Sequence, residues 1–255
     1  MTKVAKVKNI LVSQPVPADL AKSPYGEIIK KYNVNIDFIK FFKIERVSVR
    51  EFRDQKVYID QYTAIIFNSK NAVDYFFTMA KDVRVEIPDT MKYFCLSESI
   101  SYYLQKYVQF RKRKIFSCDQ NLQNLMDLIK KNKNEKFLYP CSENPNKEIP
   151  DLLEANKITY SIATLYRTVP EDMKAAVDIS KYDMLVFFSP QGIKSLFYNW
   201  ADFKQDKTII GAFGTNTAQA AKEAGLEVNV FAPNEVTPSI TTAIDNYLMK
   251  LPKNK

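Results

Sequence analysis

One pattern occurs twice in this chain and limits what it can fold into: IIFNSKNAVDYFF at residues 65–77 and LVFFSPQGIKSLF at residues 185–197. Each is an apolar run that stops at a serine and a short polar corner, then resumes with apolar residues at helical spacing. An unbroken short apolar run suits a strand buried on both faces of a parallel sheet. The spacing after the corner suits an amphipathic helix packed back onto that sheet. The rest of the chain alternates in the same way, which predicts an α/β fold of β-strand–helix–β-strand units.

Strands are expected at 8–12, 64–67, 91–96, 114–116, 136–139, 184–188, 208–213 and 228–231. Helices are expected at 23–32, 72–80, 100–110, 122–131, 149–155, 192–199, 217–224 and 238–250. Further segments pair in the same order as the opening two: KNILVSQP with EKFLYPCS, NIDFIKFFKIERV with KITYSIATLYRTV, and KYFCLSESISYYL with IIGAFGTNTAQAA. Each match is a generic strand and turn, but the ordered set points to two similar domains built from one duplicated unit. A length of 255 residues accommodates them, since a domain of about 125 residues is ordinary.

Two stretches, 35–47 and 158–169, read as extended and are long for single strands. One arrangement that accounts for them makes them linker strands that cross between the domains and pair with each other. Domain 1 is then discontinuous, 1–41 with 171–255, and domain 2 is 42–170.

Composition narrows the chemistry. Histidine is absent, which removes the commonest general base and zinc ligand and excludes a Ser-His-Asp or Cys-His site. Three cysteines, Cys95, Cys118 and Cys141, have no metal or redox spacing and read as buried thiols. Only five glycines are present, with neither a dinucleotide fingerprint nor a phosphate-binding loop among them. The formal charge of +8 argues for an anionic partner. The basic run Arg111–Lys114 reads as a solvated helix end or loop, so a nucleic-acid role would rest on charge alone. No apolar run reaches the roughly 18 residues that cross a bilayer. The start, MTKVAKVKNILVSQP, reads as a first strand and not a signal peptide, so a cytoplasmic protein without membrane contact is expected.

In an open parallel sheet, ligands bind where the carboxyl ends of the strands turn into helices. The candidate corners are Asn68-Ser69-Lys70-Asn71, Ser97-Glu98-Ser99, Cys141-Ser142, Ser189-Pro190-Gln191-Gly192 and Thr215-Asn216-Thr217, with Ser13 after the first strand. Serine, threonine and asparagine at such places are good N-caps. Several helix N-termini together also bind anions through backbone N–H groups and the positive ends of the helix dipoles. A multiply anionic ligand touching many corners is favoured over a single phosphate.

The segments SPYGEIIKKYNV, IFNSKNAVDYF, YPCSEN, ATLYRTV, VFFSPQGIKSLF and GAFGTNTAQAAKEAGLEVNVFA followed by TPSITTAI stand in an order that resembles the uroporphyrinogen-III synthases over nearly the whole chain. There are departures. Ser13-Gln14-Pro15 stands where many relatives have Thr-Arg-Pro, and Gly214-Thr215-Asn216-Thr217-Ala218 stands where Gly-Pro-Thr-Thr-Ala is usual. The corner Leu96-Ser97-Glu98-Ser99 lacks the usual glycine.

The resemblance implies two flavodoxin-like parallel-sheet domains joined by a two-stranded β linker, one domain discontinuous, with the active site in the cleft between them. The implied reaction is dehydrating cyclisation of hydroxymethylbilane to uroporphyrinogen III with inversion of the terminal pyrrole ring, mainly by conformational control. No cofactor or metal is implied, and a monomer is expected. The substrate is a linear tetrapyrrole polycarboxylate, which suits a net-positive chain. Tyr166 matches the family tyrosine proposed to assist loss of the hydroxyl, and Thr217 a threonine near the substrate. Ser69, Ser189, Gln191 and Gly192 would hold carboxylates through backbone N–H groups. On the residues alone, other readings stay open. One is a two-lobed, non-catalytic binding protein for a small anionic ligand. Another is a response-regulator-like interaction module, although its strands should end in an aspartate and these end in Asn68-Ser69 and Ser189.

Overall fold

The computed structural model describes residues 7–251; residues 1–6, read above with the first strand, lie outside that range. The chain begins β1 (Asn9–Val12), α1 (Pro24–Tyr32), β2 (Asn35–Phe38), β3 (Phe42–Arg46) and α2 (Val49–Asp54). It continues β4 (Ala64–Phe67), α3 (Lys70–Asp82), β5 (Lys92–Cys95), α4 (Glu98–Leu104), β6 (Ile115–Ser117) and α5 (Leu122–Lys130). Then come β7 (Phe137–Ser142), α6 (Glu148–Ala155), β8 (Tyr160–Pro170), β9 (Met184–Phe187) and α7 (Pro190–Asn199). Last are β10 (Ile209–Phe213), α8 (Thr215–Glu223), β11 (Val228–Ala232) and α9 (Ile240–Met249). The chain divides into two units, one made of the residues up to Lys43 together with those from Val169 on, the other of Ile44–Thr168. It passes from the first to the second within β3 and returns within β8.

The first unit holds a parallel sheet in the order β11-β10-β9-β1-β2. Numbered along the chain this is 2-1-3-4-5, the flavodoxin-like order. Its inner strands β1, β9 and β10 are buried on both faces, and alternate residues serve opposite cores. Ile10, Val12, Met184 and Val186 pack with α1 and α9 on one side, while Leu11, Leu185 and Phe187 pack with α7 and α8 on the other. That alternation is the two-residue period of a pleated strand. Gly26 in α1 is required by close approach, because a Cβ there would lie 2.4 Å from the Leu20 carbonyl oxygen.

The second unit holds the order β3-β8-β7-β4-β5-β6. From β8 to β6 the pairs are parallel. β3 lies antiparallel on β8, since Val47 N–H donates to the Leu165 carbonyl and Glu171 N–H to the Phe41 carbonyl. Placed beside the first sheet, β8, β7, β4, β5 and β6 take the places of β2, β1, β9, β10 and β11. The chain therefore enters the second unit at its third strand position, and the duplicated order is circularly permuted. The repeat also starts earlier than the apolar runs: matching 3-10 turns at Ile59–Gln61 and Ile179–Lys181 precede β4 and β9.

Several sequence expectations need correction. The stretch 35–47 is two strands, because the chain breaks at residues 39–41 to bury Phe41 edge-on against Phe187, ring centroids 5.5 Å apart. The helix expected at 100–110 starts at Glu98 and ends at Leu104. Beyond it the backbone tightens into i+3 bonds, Tyr107 stacks on Phe77, and the Tyr103 and Tyr107 hydroxyls both donate to Asp74. α2 was not expected, although Ser48 and Glu51 form a reciprocal capping box that is visible as S-x-x-E in the sequence.

Candidate active site

In the second unit, the end of β4 delivers Asn68 and Ser69 to the start of α3. Ser69 is the N-cap, its Oγ accepting from Ala72 N–H at 3.1 Å. A cap of this kind satisfies one amide and leaves those of Lys70 and Asn71 without an intrahelical partner. Asn68 Nδ2 donates to the Tyr139 hydroxyl at 2.6 Å. Lys70 is exposed, its Nζ 5.5 Å from the Tyr103 ring centroid. At the neighbouring corner Ser97 caps α4 through Ile100 N–H, and its hydroxyl lies 3.0 Å from that of Ser99.

Tyr166 reaches the Ser69 corner because β8 carries a bulge. Cys141 pairs with Thr164, but the next residue, Ser142, pairs with Tyr166, so Leu165 is the extra residue. Ala163 and Leu165 face the α3 side of the sheet, as their two-residue spacing requires, and Tyr166, which strict alternation would send to the opposite face, joins them in the same core. Bulges re-aim side chains in this way. The phenol oxygen then lies 3.3 Å from Ser69 Oγ, and the ring stacks on Tyr75 with centroids 4.9 Å apart. Burial raises the phenol's pKa, with a smaller opposing contribution from the Ser69 hydroxyl, so Tyr166 is protonated at neutral pH.

The strand around the bulge is pinned from α2. The Gln55 amide donates to the Thr164 carbonyl at 2.8 Å and accepts from Thr164 N–H at 2.9 Å. Arg167 pairs with Glu51, whose carboxyl is lowered to about 2 by that guanidinium and by the Ser48 backbone. Neither Gln55 nor Tyr75 was singled out from sequence. Tyr75 lies within the repeated corner-and-helix motif, whereas nothing in the sequence marks Gln55.

The Cys141-Ser142 corner is corrected. Both residues end β7; Cys141 is buried, and burial pushes its thiol up to about 12, so it is inert in the core. The following helix α6 starts six residues later, with Lys147 at its cap position and no side-chain cap. Ser142 instead faces Tyr166 across the bulge. All three cysteines are buried and free.

In the first unit, Ser189 caps α7 by accepting from Gly192 N–H at 3.3 Å. Gly192 N–H is therefore already engaged, and Pro190 has none to offer. A Cβ on Gly192 would lie 3.1 Å from the Phe187 ring and 3.6 Å from Ser13 Oγ, which places Ser13 against this turn. Ser13 N–H donates to the Val186 carbonyl, tying β1 to β9 where the strand order reverses. α8 differs from the serine-capped helices α3, α4 and α7. Its cap is Gly214 at φ 87°, with no side-chain cap, so the amides of Thr215, Asn216 and Thr217 lack both intrahelical and cap partners. Thr215 and Asn216 are exposed, and Thr217 is buried in the first turn and is not an N-cap.

Each unit thus gathers small polar corners and helix N-termini at the carboxyl end of its own sheet. The family model for uroporphyrinogen-III synthase HemD matches residues 23–242. This chain belongs to the uroporphyrinogen-III synthase family. As a uroporphyrinogen-III synthase family member it is a cyclising lyase of tetrapyrrole synthesis. The structure of a uroporphyrinogen-III synthetase from Helicobacter pylori is similar over 95% of this chain and 99% of that one, with 17% identity and a TM-score of 0.56, and shares the fold. A mutant uroporphyrinogen III synthase from the extremely thermophilic bacterium Thermus thermophilus covers 94% of this chain and 97% of its own, with 14% identity and a TM-score of 0.49. A search of curated protein sequences returns no match. Among the described residues no helix is long and apolar enough to cross a membrane.

Proposed function

We propose that this synthase binds hydroxymethylbilane at its polar strand-to-helix corners, and that Tyr166 assists departure of the substrate's hydroxyl. The observation that carries the reading is the bulge at Leu165, which turns a buried, protonated phenol toward the Ser69 corner. The substrate's acetate and propionate groups are matched to the uncapped amides at the start of α8 and to those of Lys70 and Asn71.

In the first chemical step the pyrrole nitrogen's electron pair drives cleavage of the hydroxymethyl C–O bond. The phenol proton passes to the departing oxygen and water leaves. The resulting azafulvene cation is attacked by the substituted carbon of the terminal ring, giving the spiro intermediate. The bond from the spiro carbon to its original methylene bridge then breaks, leaving a second azafulvene cation on the neighbouring ring. The terminal ring's unsubstituted carbon attacks that methylene to close the macrocycle, and the hydrogen this carbon loses returns to the phenolate as its proton. A bound conformer that presents one carbon and not the other supplies the selectivity, which is a contribution of orientation and needs no histidine. We further read the protein as a cytoplasmic monomer whose partner is this small polyanion and not nucleic acid.

The test is to incubate the full chain with freshly prepared hydroxymethylbilane and identify the uroporphyrinogen isomer formed. The type III isomer, produced faster than spontaneous closure, is the expected result. Type I alone at the spontaneous rate overturns the reading and leaves a non-catalytic anion-binding protein.

A further inference from the structure

We propose that Ser69 is a positioning residue for Tyr166: its hydroxyl donates to the phenol oxygen, so the phenol's own proton is directed to the substrate, while Tyr75 fixes the plane of the ring. The proposal rests on the reading of Tyr166 as proton donor.

A serine hydroxyl has one proton and two lone pairs. One lone pair of Ser69 is taken by Ala72 N–H at 3.1 Å, the cap bond of α3. The cap thereby fixes the oxygen, and the Tyr166 oxygen lies 3.3 Å from it. Either hydroxyl could donate while both are neutral. As the phenol proton moves to the leaving oxygen, negative charge grows on Tyr166, and only the arrangement with Ser69 as donor becomes stronger. The positive end of α3, a helix of 13 residues, lies at the same corner and acts in the same sense.

The surroundings leave the phenol little other support. Tyr166 is 8% exposed, and burial raises its pKa while the Ser69 bond lowers it. The titratable side chains about it are Tyr75 from α3 and Tyr139 and Cys141 from β7; none is a carboxylate or an amine. Tyr75 stacks on the phenol ring at an interplanar angle of 24°, which removes its freedom to swing away from the cap.

The experiment compares Ser69→Ala, Ser69→Thr, Tyr166→Phe and the double variant Ser69→Ala/Tyr166→Phe in the full chain, with freshly prepared hydroxymethylbilane. A second readout is the ionisation of Tyr166, followed by NMR of ring-labelled tyrosine and assigned by the signal lost in Tyr166→Phe. Ser69→Ala is expected to lower kcat about tenfold with KM changed less than about twofold, and to move Tyr166 ionisation to higher pH. Ser69→Thr keeps cap and hydroxyl and restores both. In the Tyr166→Phe background, Ser69→Ala changes kcat no further, because residues acting as one unit are not additive. If Ser69→Ala does not fold, Ser69→Gly removes the hydroxyl with little loss of capping and carries the same test.

Parental kcat in Ser69→Ala, an unmoved Tyr166 ionisation, or an equal further loss on top of Tyr166→Phe each overturns the proposal. Failure of the underlying reading looks different: Tyr166→Phe itself then turns over at the parental rate.

Discussion

Leu165 and Tyr166 are consecutive in the chain, yet their side chains enter the same core, on the face of the sheet covered by α3. A regular strand would place them on opposite faces. The bulge opposite Ser142 makes the difference, and it brings a chemically useful side chain to a corner that the fold already supplies with helix amides.

Tyr166→Phe removes the donor and keeps the stacked ring. Turnover to the type III isomer is expected to fall about 10- to 100-fold, at or below the lower end of what a positioned acid contributes, with KM and the circular dichroism spectrum unchanged. A parental rate would take the phenol out of the chemistry.

Gln55→Ala withdraws both side-chain bonds from Thr164, the residue before the bulge. Leaving a half-buried amide and carbonyl without these partners costs about 1–3 kcal/mol, read as a lower urea midpoint at constant slope. Because the bulge then loses its brace, kcat should fall more than KM rises. A variant with lowered stability and parental kcat would show that the bulge holds itself.

Asn199 is 1% exposed and makes three bonds, accepting from Met173 N–H and donating to the carbonyls of Glu171 and Ser195. It fastens the returning chain to α7. Asn199→Ala is expected to destabilise the first unit by about 2–4 kcal/mol, seen as an early phase in thermal unfolding or in hydrogen exchange, with the second unit's amides unaffected.

Stability should fall in alkali before it changes near neutrality. Burial raises the Tyr25 phenol to about 12 and raises those of Tyr93, Tyr139 and Tyr166 as well. A phenol near 10 in the unfolded chain and higher in the folded one gives its full contribution below about pH 10 and loses it as pH rises through the folded value. With no histidine in the chain, the urea midpoint should be flat between about pH 6 and 8. A transition centred in that window would contradict this.

What could be read from the sequence was whatever depends on local pattern. β4 and β9 are four-residue strands with every residue buried, and each is followed two residues on by a serine that caps the next helix, as the repeated motif required. The order of the matched segments carried the permuted topology. What escaped depends on partners. ATLYRTV reads as a plain strand, and its bulge exists only in register with β7. Pro140 and Cys141 look like a break, but β7 pairs with β4 only at Phe137 and Leu138, so the proline lies beyond that pairing and the strand runs on to Ser142. At the start of α8 the polar residues looked like caps, whereas Gly214 takes that place and leaves the amides beyond it unengaged.

The insertion also dictates a timetable. β1 has its inner neighbour in β9, and the Asn9 amide is bonded to the Asp183 carboxylate, 174 residues downstream. During synthesis the first two strands therefore leave the ribosome with one edge bare, and every strand of the intervening unit emerges before that edge is covered. The inserted lobe is free to finish first, and the outer one waits as an exposed half-sheet whose closing piece is still being translated.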